Sequence, residues 1–175
     1  YEDLQSLSQP LLPDSPVYQA NMDAQNCPNS SICLIESNDM DPFDDLPNPQ
    51  TFQLQQGYEL DLDRHSVNIV SQGSDGIFNG TRTLLQLLAQ ADPSGAIPAG
   101  SIKDWPALEN RGMMLDLGRK FFPLSYLESL IKTMAFYKIN EFHLHLNEAY
   151  VINTPSNIQL ANSFRLNDPV NYPGL

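Results

Sequence analysis

Residues 110–147 have the pattern of a strand, a helix and a second strand, and this order constrains the fold more than any other feature. Met113, Met114 and Leu115 form a short continuous apolar run, which is typical of a parallel strand covered on both faces. In the second strand, 142–147, apolar residues and histidines alternate between two faces. Two parallel strands joined by a crossover helix make a βαβ unit, so the region predicts an α/β fold.

The connecting helix is predicted to begin near Ser125, because Ser125 and Glu128 have the spacing of a capping box. It should end at 138–140, after one buried apolar stripe formed by Leu127, Leu130, Ile131 and Met134. A βαβ unit leaves a strand edge open, and a closed barrel of eight strands needs about 250 residues. We therefore predict that residues 107–175 begin a (β/α)8 TIM barrel that is incomplete in this chain. A second polypeptide or a missing C-terminal part is expected to complete it.

A small α+β domain is predicted over residues 1–106. Alternating apolar and acidic residues over 58–62, a turn, and a second strand over 67–70 indicate an antiparallel hairpin. Helical spacing then predicts a helix over 77–90. Prolines and acidic residues make 1–50 a largely irregular region with one short strand near Val17 to Met22. Residues 96–109 are predicted to connect this domain to the barrel segment.

The composition excludes some classes of partner. The formal net charge is −12 and only nine Lys and Arg residues are present, which argues against binding to nucleic acid. No apolar run is long enough for a membrane span. A soluble protein is therefore predicted.

Two cysteines and two sequons bear on the compartment. A disulfide between Cys27 and Cys33 would close a short loop and contribute about 2 kcal/mol of stability. Asn29 and Asn79 begin the triplets Asn-Ser-Ser and Asn-Gly-Thr, which are possible glycosylation sites. The sequence starts at Tyr1 with neither an initiator Met nor a signal peptide, which is expected of a processed or trimmed chain. Two free thiols and two chance triplets remain the alternative, but together these features favour secretion or a lysosome-like compartment.

Polar residues follow both strands of the βαβ unit, where barrel enzymes assemble their active sites. Asp116 and Arg119 come after the first strand, and Asn147 and Glu148 after the second. Glu148 could hydrogen-bond a catalytic group or a sugar hydroxyl, or be an exposed loop carboxylate. The guanidinium of Arg111 suits two adjacent hydroxyls or a carboxylate, with a structural salt bridge as the alternative.

His143 and His145 form a His-x-His pair on one face of the second strand, which raises the possibility of a metal site. Strand histidines more often satisfy neighbouring backbone or carboxylate groups. No metal or other cofactor is therefore predicted. A metal-dependent barrel hydrolase that uses both histidines remains an alternative.

The segment from Arg111 to Glu148 resembles the start of the catalytic barrel of family 20 glycoside hydrolases, the β-N-acetylhexosaminidases. It reads RGMMLDLGRKFFPLSYLESLIKTMAFYKINEFHLHLNE. The family pattern is RG, three hydrophobic residues, D-x-x-R, and after a helix K-x-N and two histidines one residue apart. Upstream, the runs GYELDL, IFNGTRTLLQLL and IKDWP resemble the small α+β domain that precedes this barrel.

This resemblance implies a glycosidase that removes terminal β-linked N-acetylhexosamine, either GlcNAc or GalNAc, by substrate-assisted retaining catalysis. The family's Asp-Glu pair follows the fourth barrel strand and thus lies outside this chain. By position, Arg111 and Glu148 are implied to bind substrate, with Asp116 and His145 as further candidates, and Glu148 is alternatively implied to support a catalytic histidine elsewhere. Leu144 and Ala149 replace a Trp and an acid of the commoner pattern, which bears on substrate preference. A non-catalytic glycan-binding subunit is the remaining alternative.

Overall fold

The structure of the protein is a computed structural model that describes residues 17–19, 27–38, 46–91, 96–118, 120–146, 149–154 and 157–162. The chain divides into two compact units, Tyr1–Glu109 and Asn110–Leu175, named here the N-terminal and C-terminal units. Among the described residues, no helix is both long and apolar enough to cross a membrane.

Over its described residues, the N-terminal unit contains a five-stranded mixed sheet and two helices. Its strands are β1 (Val17–Gln19), β2 (Ser31–Glu36), β3 (Tyr58–Leu62), β4 (Ser66–Ser71) and β5 (Gly100–Asp104), and its helices are α1 (Thr51–Gln56) and α2 (Ser74–Ala89). The strand order is β1-β2-β4-β3-β5. Strand β2 runs parallel to β1 and β4, while β3 runs antiparallel to β4 and β5.

The predicted hairpin and the helix after it are both confirmed. Strands β3 and β4 pair in antiparallel register with Leu60 opposite Ile69. In the turn between them, Asp63 Oδ1 accepts the backbone N–H of Ser66 at 2.8 Å. Helix α2 begins at Ser74, three residues before the predicted start. Leu84, Leu60 and Ile69 are completely buried, which places the core between α2 and the sheet.

A partly buried polar cluster lies beside this core. The hydroxyl of Tyr58 donates to Asp104 Oδ2 at 2.9 Å and is hydrogen-bonded to Thr83 Oγ1. Burial, together with the neighbouring Asp104 carboxylate, raises the pKa of Tyr58 well above its usual value. Tyr58 thus remains neutral, and its hydroxyl links β3 to α2 and to the edge strand β5.

Three elements of this unit were not predicted from the sequence, namely β2, α1 and β5. Strand β2 lies between β1 and β4 and is buried along most of its length. Its apolar run over 32–35 is continuous rather than alternating, as in a strand covered on both faces, and the surrounding prolines obscured it. Edge strand β5 is only partly buried, so its hydrophobic pattern is weak.

A disulfide joins Cys27 and Cys33 in the structure. Cys33 is buried with Ile35 and Val70, and Cys27 packs against this group. The bridge therefore fastens the turn that precedes β2 to the interior of the sheet.

The two sequons have opposite environments. Asn29 lies in an exposed turn between the cysteines. Asn79 is only 6% exposed, and its Nδ2 donates to the backbone oxygen of Gln56 at 2.8 Å. A glycan is attached through that nitrogen, so the prediction of glycosylation at Asn79 conflicts with the folded unit, where Nδ2 is buried and hydrogen-bonded.

The C-terminal unit contains the predicted βαβ unit, which is confirmed. It consists of β6 (Gly112–Asp116), α3 (Leu124–Phe136) and β7 (Glu141–His145), and the two strands are parallel. Strands β8 (Ala149–Thr154) and β9 (Asn157–Asn162) follow as an antiparallel pair.

The predicted capping box at the start of α3 is wrong. Pro123 is the N-cap, and its backbone oxygen accepts the N–H groups of Tyr126 and Leu127 at 3.0 and 3.3 Å. Ser125 consequently lies inside the first turn, where its hydroxyl cannot act as the cap. The ring of Pro123 fixes φ at −65°, which suits the extended residue before a helix.

Candidate active site

The carboxyl ends of β6 and β7 lie side by side in the C-terminal unit. Asp116 is the last residue of β6 and His145 the last of β7, and the strand register places them opposite each other. In parallel α/β structures, ligands bind beyond the carboxyl ends of the strands. The parallel pairing thus brings together two residues that are 29 positions apart in the chain.

The carboxylate of Asp116 contacts groups from both strand ends. Its Oδ1 lies 3.5 Å from His145 Nδ1, which is an ion-pair distance when the imidazole is protonated. The same oxygen accepts the backbone N–H of Gly118 at 2.9 Å. The side chains of Asp116 and His145 are 27% and 41% exposed, so both are partly accessible to a ligand.

Leu117 extends the pairing one residue beyond β6. Its N–H donates to the backbone oxygen of His145 at 2.9 Å, and its side chain is 5% exposed. The first residues of the loop after β6 are therefore anchored by a buried side chain and by hydrogen bonds to the neighbouring strand.

His143 lies on the same face of β7 as His145, opposite Met114 of β6, and is exposed. A zinc site needs three or four ligands. Over the described part of the chain, no group of three or more His, Cys, Asp or Glu residues could hold a metal ion. The metal alternative thus lacks a third ligand among these residues.

Arg111 lies at the opposite end of β6 from Asp116. Its Nε donates to the backbone oxygen of Lys138 at 2.8 Å, and its own N–H donates to Asn140 Oδ1 at 2.8 Å. At about 3.3 Å per residue, the five residues of β6 separate Arg111 from the carboxyl ends by roughly 16 Å. These contacts favour a structural role for Arg111 at the amino end of the strand, and its binding to the sugar stays a prediction.

The contacts of Arg111 fasten the end of α3 to the start of β6. Lys138 has a positive φ of 58°, and the N–H of Ile139 donates to Met134 at the last turn of the helix. A guanidinium near a helix C-terminus also interacts favourably with the helix dipole. The structural alternative considered for Arg111 was a salt bridge; the contact in the structure is instead a hydrogen bond to a backbone oxygen, which caps the end of α3.

Arg111→Met is expected to lower the free energy of unfolding of the C-terminal unit by about 1–2 kcal/mol, because the Lys138 oxygen loses a charged donor. The Michaelis constant for a saccharide substrate should stay within about twofold of wild type. Denaturant unfolding and steady-state kinetics of the full-length protein measure the two quantities. Lys132→Met removes an exposed charge from α3 and is the matched control. A large rise in the Michaelis constant at unchanged stability would contradict the capping role.

The remaining residues proposed from the sequence cannot be placed. Arg119, Asn147 and Glu148 lie outside the described residues. Asp116 and His145 are thus the two predicted site residues that the structure brings together. The sequence signal for this pairing was the occurrence of one polar residue at the end of each parallel strand.

Comparison with known proteins defines the class of this chain. Residues 20–105 match the profile of glycosyl hydrolase family 20, domain 2, and residues 109–163 match the profile of the glycosyl hydrolase family 20 catalytic domain. The chain belongs to glycosyl hydrolase family 20.

Individual relatives are beta-hexosaminidases. The chain is 41% identical over 101 residues to the beta-hexosaminidase of Porphyromonas gingivalis, and the match covers 54% of this chain and 13% of that protein. It is 29% identical over 120 residues to the beta-hexosaminidase subunit alpha of Bos taurus, covering 67% of this chain and 21% of that protein. The matches thus span about a fifth or less of these relatives' lengths.

A solved structure gives the same result. The N-acetyl-beta-hexosaminidase of Streptomyces plicatus, in complex with Thio-NAglucal, superposes with a TM-score of 0.51 at 30% sequence identity. The superposition covers 68% of this chain and 22% of that one.

Proposed function

We propose that this chain is part of a glycoside hydrolase that removes terminal β-linked N-acetylhexosamine from glycans. Residues 1–106 form its small α+β domain, and residues 107–175 form the first part of its (β/α)8 catalytic barrel. The observation that carries the proposal is the coincidence of a family 20 catalytic-domain match with a parallel β6–β7 pair. Asp116 and His145 lie at the carboxyl ends of that pair, where barrel enzymes bind substrate.

The exposure of apolar residues on β6 supports the barrel assignment. Met113 and Met114 are 38% and 59% exposed. Because neighbouring strand residues point to opposite faces, β6 has an exposed apolar side chain on each face. Parallel strands in α/β proteins are normally covered on both faces. The remaining strands and helices of a barrel would cover these side chains, and we propose that they come from polypeptide outside residues 1–175.

The proposed reaction is substrate-assisted and retains the anomeric configuration. The carbonyl oxygen of the substrate's 2-acetamido group attacks the anomeric carbon while the glycosidic bond breaks. A glutamic acid protonates the departing oxygen, and a neighbouring aspartate stabilises the acetamido group as it becomes an oxazolinium ion. Water then opens this ion on the same face, and the glutamate takes up the proton. That Asp-Glu pair lies outside this chain.

Residues of this chain would shape the same site from its first two strands. Glu148, two residues beyond Leu146, is proposed to bind substrate or to support a catalytic histidine. Leu144 and Ala149, where the commoner family pattern has a Trp and an acid, are proposed to set preference among terminal sugars. Arg111 was expected to bind the sugar; because its Nε donates to the backbone oxygen of Lys138, we propose that it acts first as a cap on the end of α3.

We further propose that the protein works in a secreted or lysosome-like compartment. The disulfide between Cys27 and Cys33 supports this, since disulfides form and persist in oxidising environments. The exposed sequon at Asn29 is compatible with the same route.

The function is tested with the full-length protein and an aryl β-N-acetylglucosaminide. Release of the nitrophenol is expected, together with competitive inhibition by a thiazoline that mimics the oxazolinium ion, which should bind at least about a hundredfold more tightly than substrate. A chelator should leave the rate unchanged. Binding of the glycan without turnover would instead favour the non-catalytic subunit, and loss of the activity with chelator would favour a metal-dependent hydrolase.

A further inference from the structure

One carboxylate oxygen joins the two loops that border the candidate site. Asp116 Oδ1 accepts the N–H of Gly118 at 2.9 Å and lies 3.5 Å from His145 Nδ1. Gly118 belongs to the loop between β6 and α3, and His145 leads directly into the loop after β7. A single side chain therefore contacts the beginnings of both loops.

A second connection between the same loops strengthens this arrangement. The N–H of Leu117 donates to the backbone oxygen of His145 at 2.9 Å, and the Leu117 side chain is buried. The backbone thus fixes the separation of the loops, while the Asp116 carboxylate fixes the turn at Gly118 and the ring of His145. Asp116 Oδ1 already contacts two protein groups, the N–H of Gly118 and Nδ1 of His145, and both lie at the ends of β6 and β7.

We propose that Asp116 is a positioning residue, which holds the backbone at Gly118 and the ring of His145 in one arrangement and acts on the sugar only through them. This inference rests on the proposed glycosidase function and deepens it. It replaces the simpler idea that Asp116 binds a sugar hydroxyl directly. A small displacement of groups that position the substrate lowers the rate of catalysis strongly. Loss of the Asp116 carboxylate should therefore reduce kcat/KM without removing a sugar contact.

The kinetic test uses Asp116→Ala and Asp116→Asn in the full-length protein. Asp116→Ala is expected to lower kcat/KM about 30-fold, and Asp116→Asn about threefold, because the amide oxygen can still accept from Gly118. In a His145→Ala background, the fold-reduction in kcat/KM caused by Asp116→Ala should be at least about threefold smaller, because part of the effect of Asp116 is transmitted through the His145 ring. Glu141→Gln removes a charge at the amino end of β7 and should change kcat/KM by less than about twofold.

A second measurement does not depend on activity. In Asp116→Ala, the amide of Gly118 should exchange its hydrogen at least about tenfold faster, because it loses its acceptor. The amides of β3 and β4 in the N-terminal unit should be unchanged. The exchange rate at Gly118 can be measured even when no sugar is hydrolysed. Failure of the inference can therefore be distinguished from failure of the proposed function.

Two results would overturn the inference. One is an unchanged exchange rate at Gly118 in Asp116→Ala. The other is an Asp116→Asn variant as impaired as Asp116→Ala with no coupling to His145, which is the behaviour of a direct sugar contact. If Asp116→Ala does not fold, Asp116→Asn combined with His145→Gln provides the same cycle, and additive effects in it contradict the positioning role.

Discussion

Replacement of the substrate's 2-acetamido group by a hydroxyl is expected to lower kcat/KM of the full-length protein by at least about a thousandfold. In the proposed mechanism the acetamido oxygen is the nucleophile, held within the same molecule as the carbon it attacks. Intramolecular groups in good geometry act as if present at about 10⁵ M or more, so their removal is costly. An aryl β-glucoside keeps the leaving group and the ring but lacks this nucleophile.

The comparison requires the aryl β-N-acetylglucosaminide and the aryl β-glucoside with the same leaving group. Matching the leaving groups keeps the demand for protonation equal, so the ratio reports on the acetamido group. An N-trifluoroacetyl substrate serves as the control, because its weaker carbonyl nucleophile should give an intermediate rate. Comparable rates for all three substrates would indicate a nucleophile supplied by the protein, which contradicts substrate assistance.

The second large effect is expected from Gly76→Ala in α2, which should lower the free energy of unfolding of the N-terminal unit by about 3 kcal/mol. Gly76 is buried, and a methyl group there would overlap Ser71 Oγ and the backbone oxygen of Gly57. These two atoms are hydrogen-bonded to each other at 2.6 Å, and Ser71 is fully buried, so neither can move freely. The helix start must shift away from the sheet.

The sign of this effect is diagnostic. In an exposed helix, exchange of glycine for alanine stabilises by about 1 kcal/mol, which is opposite to the expected result. Gly100→Ala is the matched control because a methyl group at that position meets nothing within 4 Å. Hydrogen exchange at the β3 and β4 amides measures the stability of this unit within the full-length protein. A Gly76→Ala variant as stable as wild type would show that α2 does not approach the sheet this closely.

Local sequence patterns predicted the elements whose own periodicity is strong. The hairpin over β3 and β4, the helix α2 and the β6–α3–β7 unit all follow from alternating or helical spacing of apolar residues. The patterns failed where the structure of a segment depends on the segments that pack or pair with it. Strand β2 is defined by its pairing with β1 and β4, and the cap of α3 is Pro123 because the helix starts one residue before Ser125.

For individual residues, too, the sequence identified candidates and the tertiary structure decided their contacts. A polar residue at each strand end identified Asp116 and His145 as candidates, but their contact depends on the register between strands joined by a helix. Arg111 matches the arginine of the family motif that implied sugar binding, yet its Nε contacts the end of α3 at the amino end of β6. Asn79 has a complete sequon, yet its side chain is buried against α1.

The sequence by itself determined the order of helices and strands around the strongest periodic segments, and it contained the motif of family 20 glycoside hydrolases. Both are encoded by residues close together in the chain, where spacing alone specifies which face is apolar. Only the tertiary structure decided which polar groups meet, which end of a strand each occupies, and which are buried. Those properties depend on pairing between distant segments, and no local pattern specifies that register.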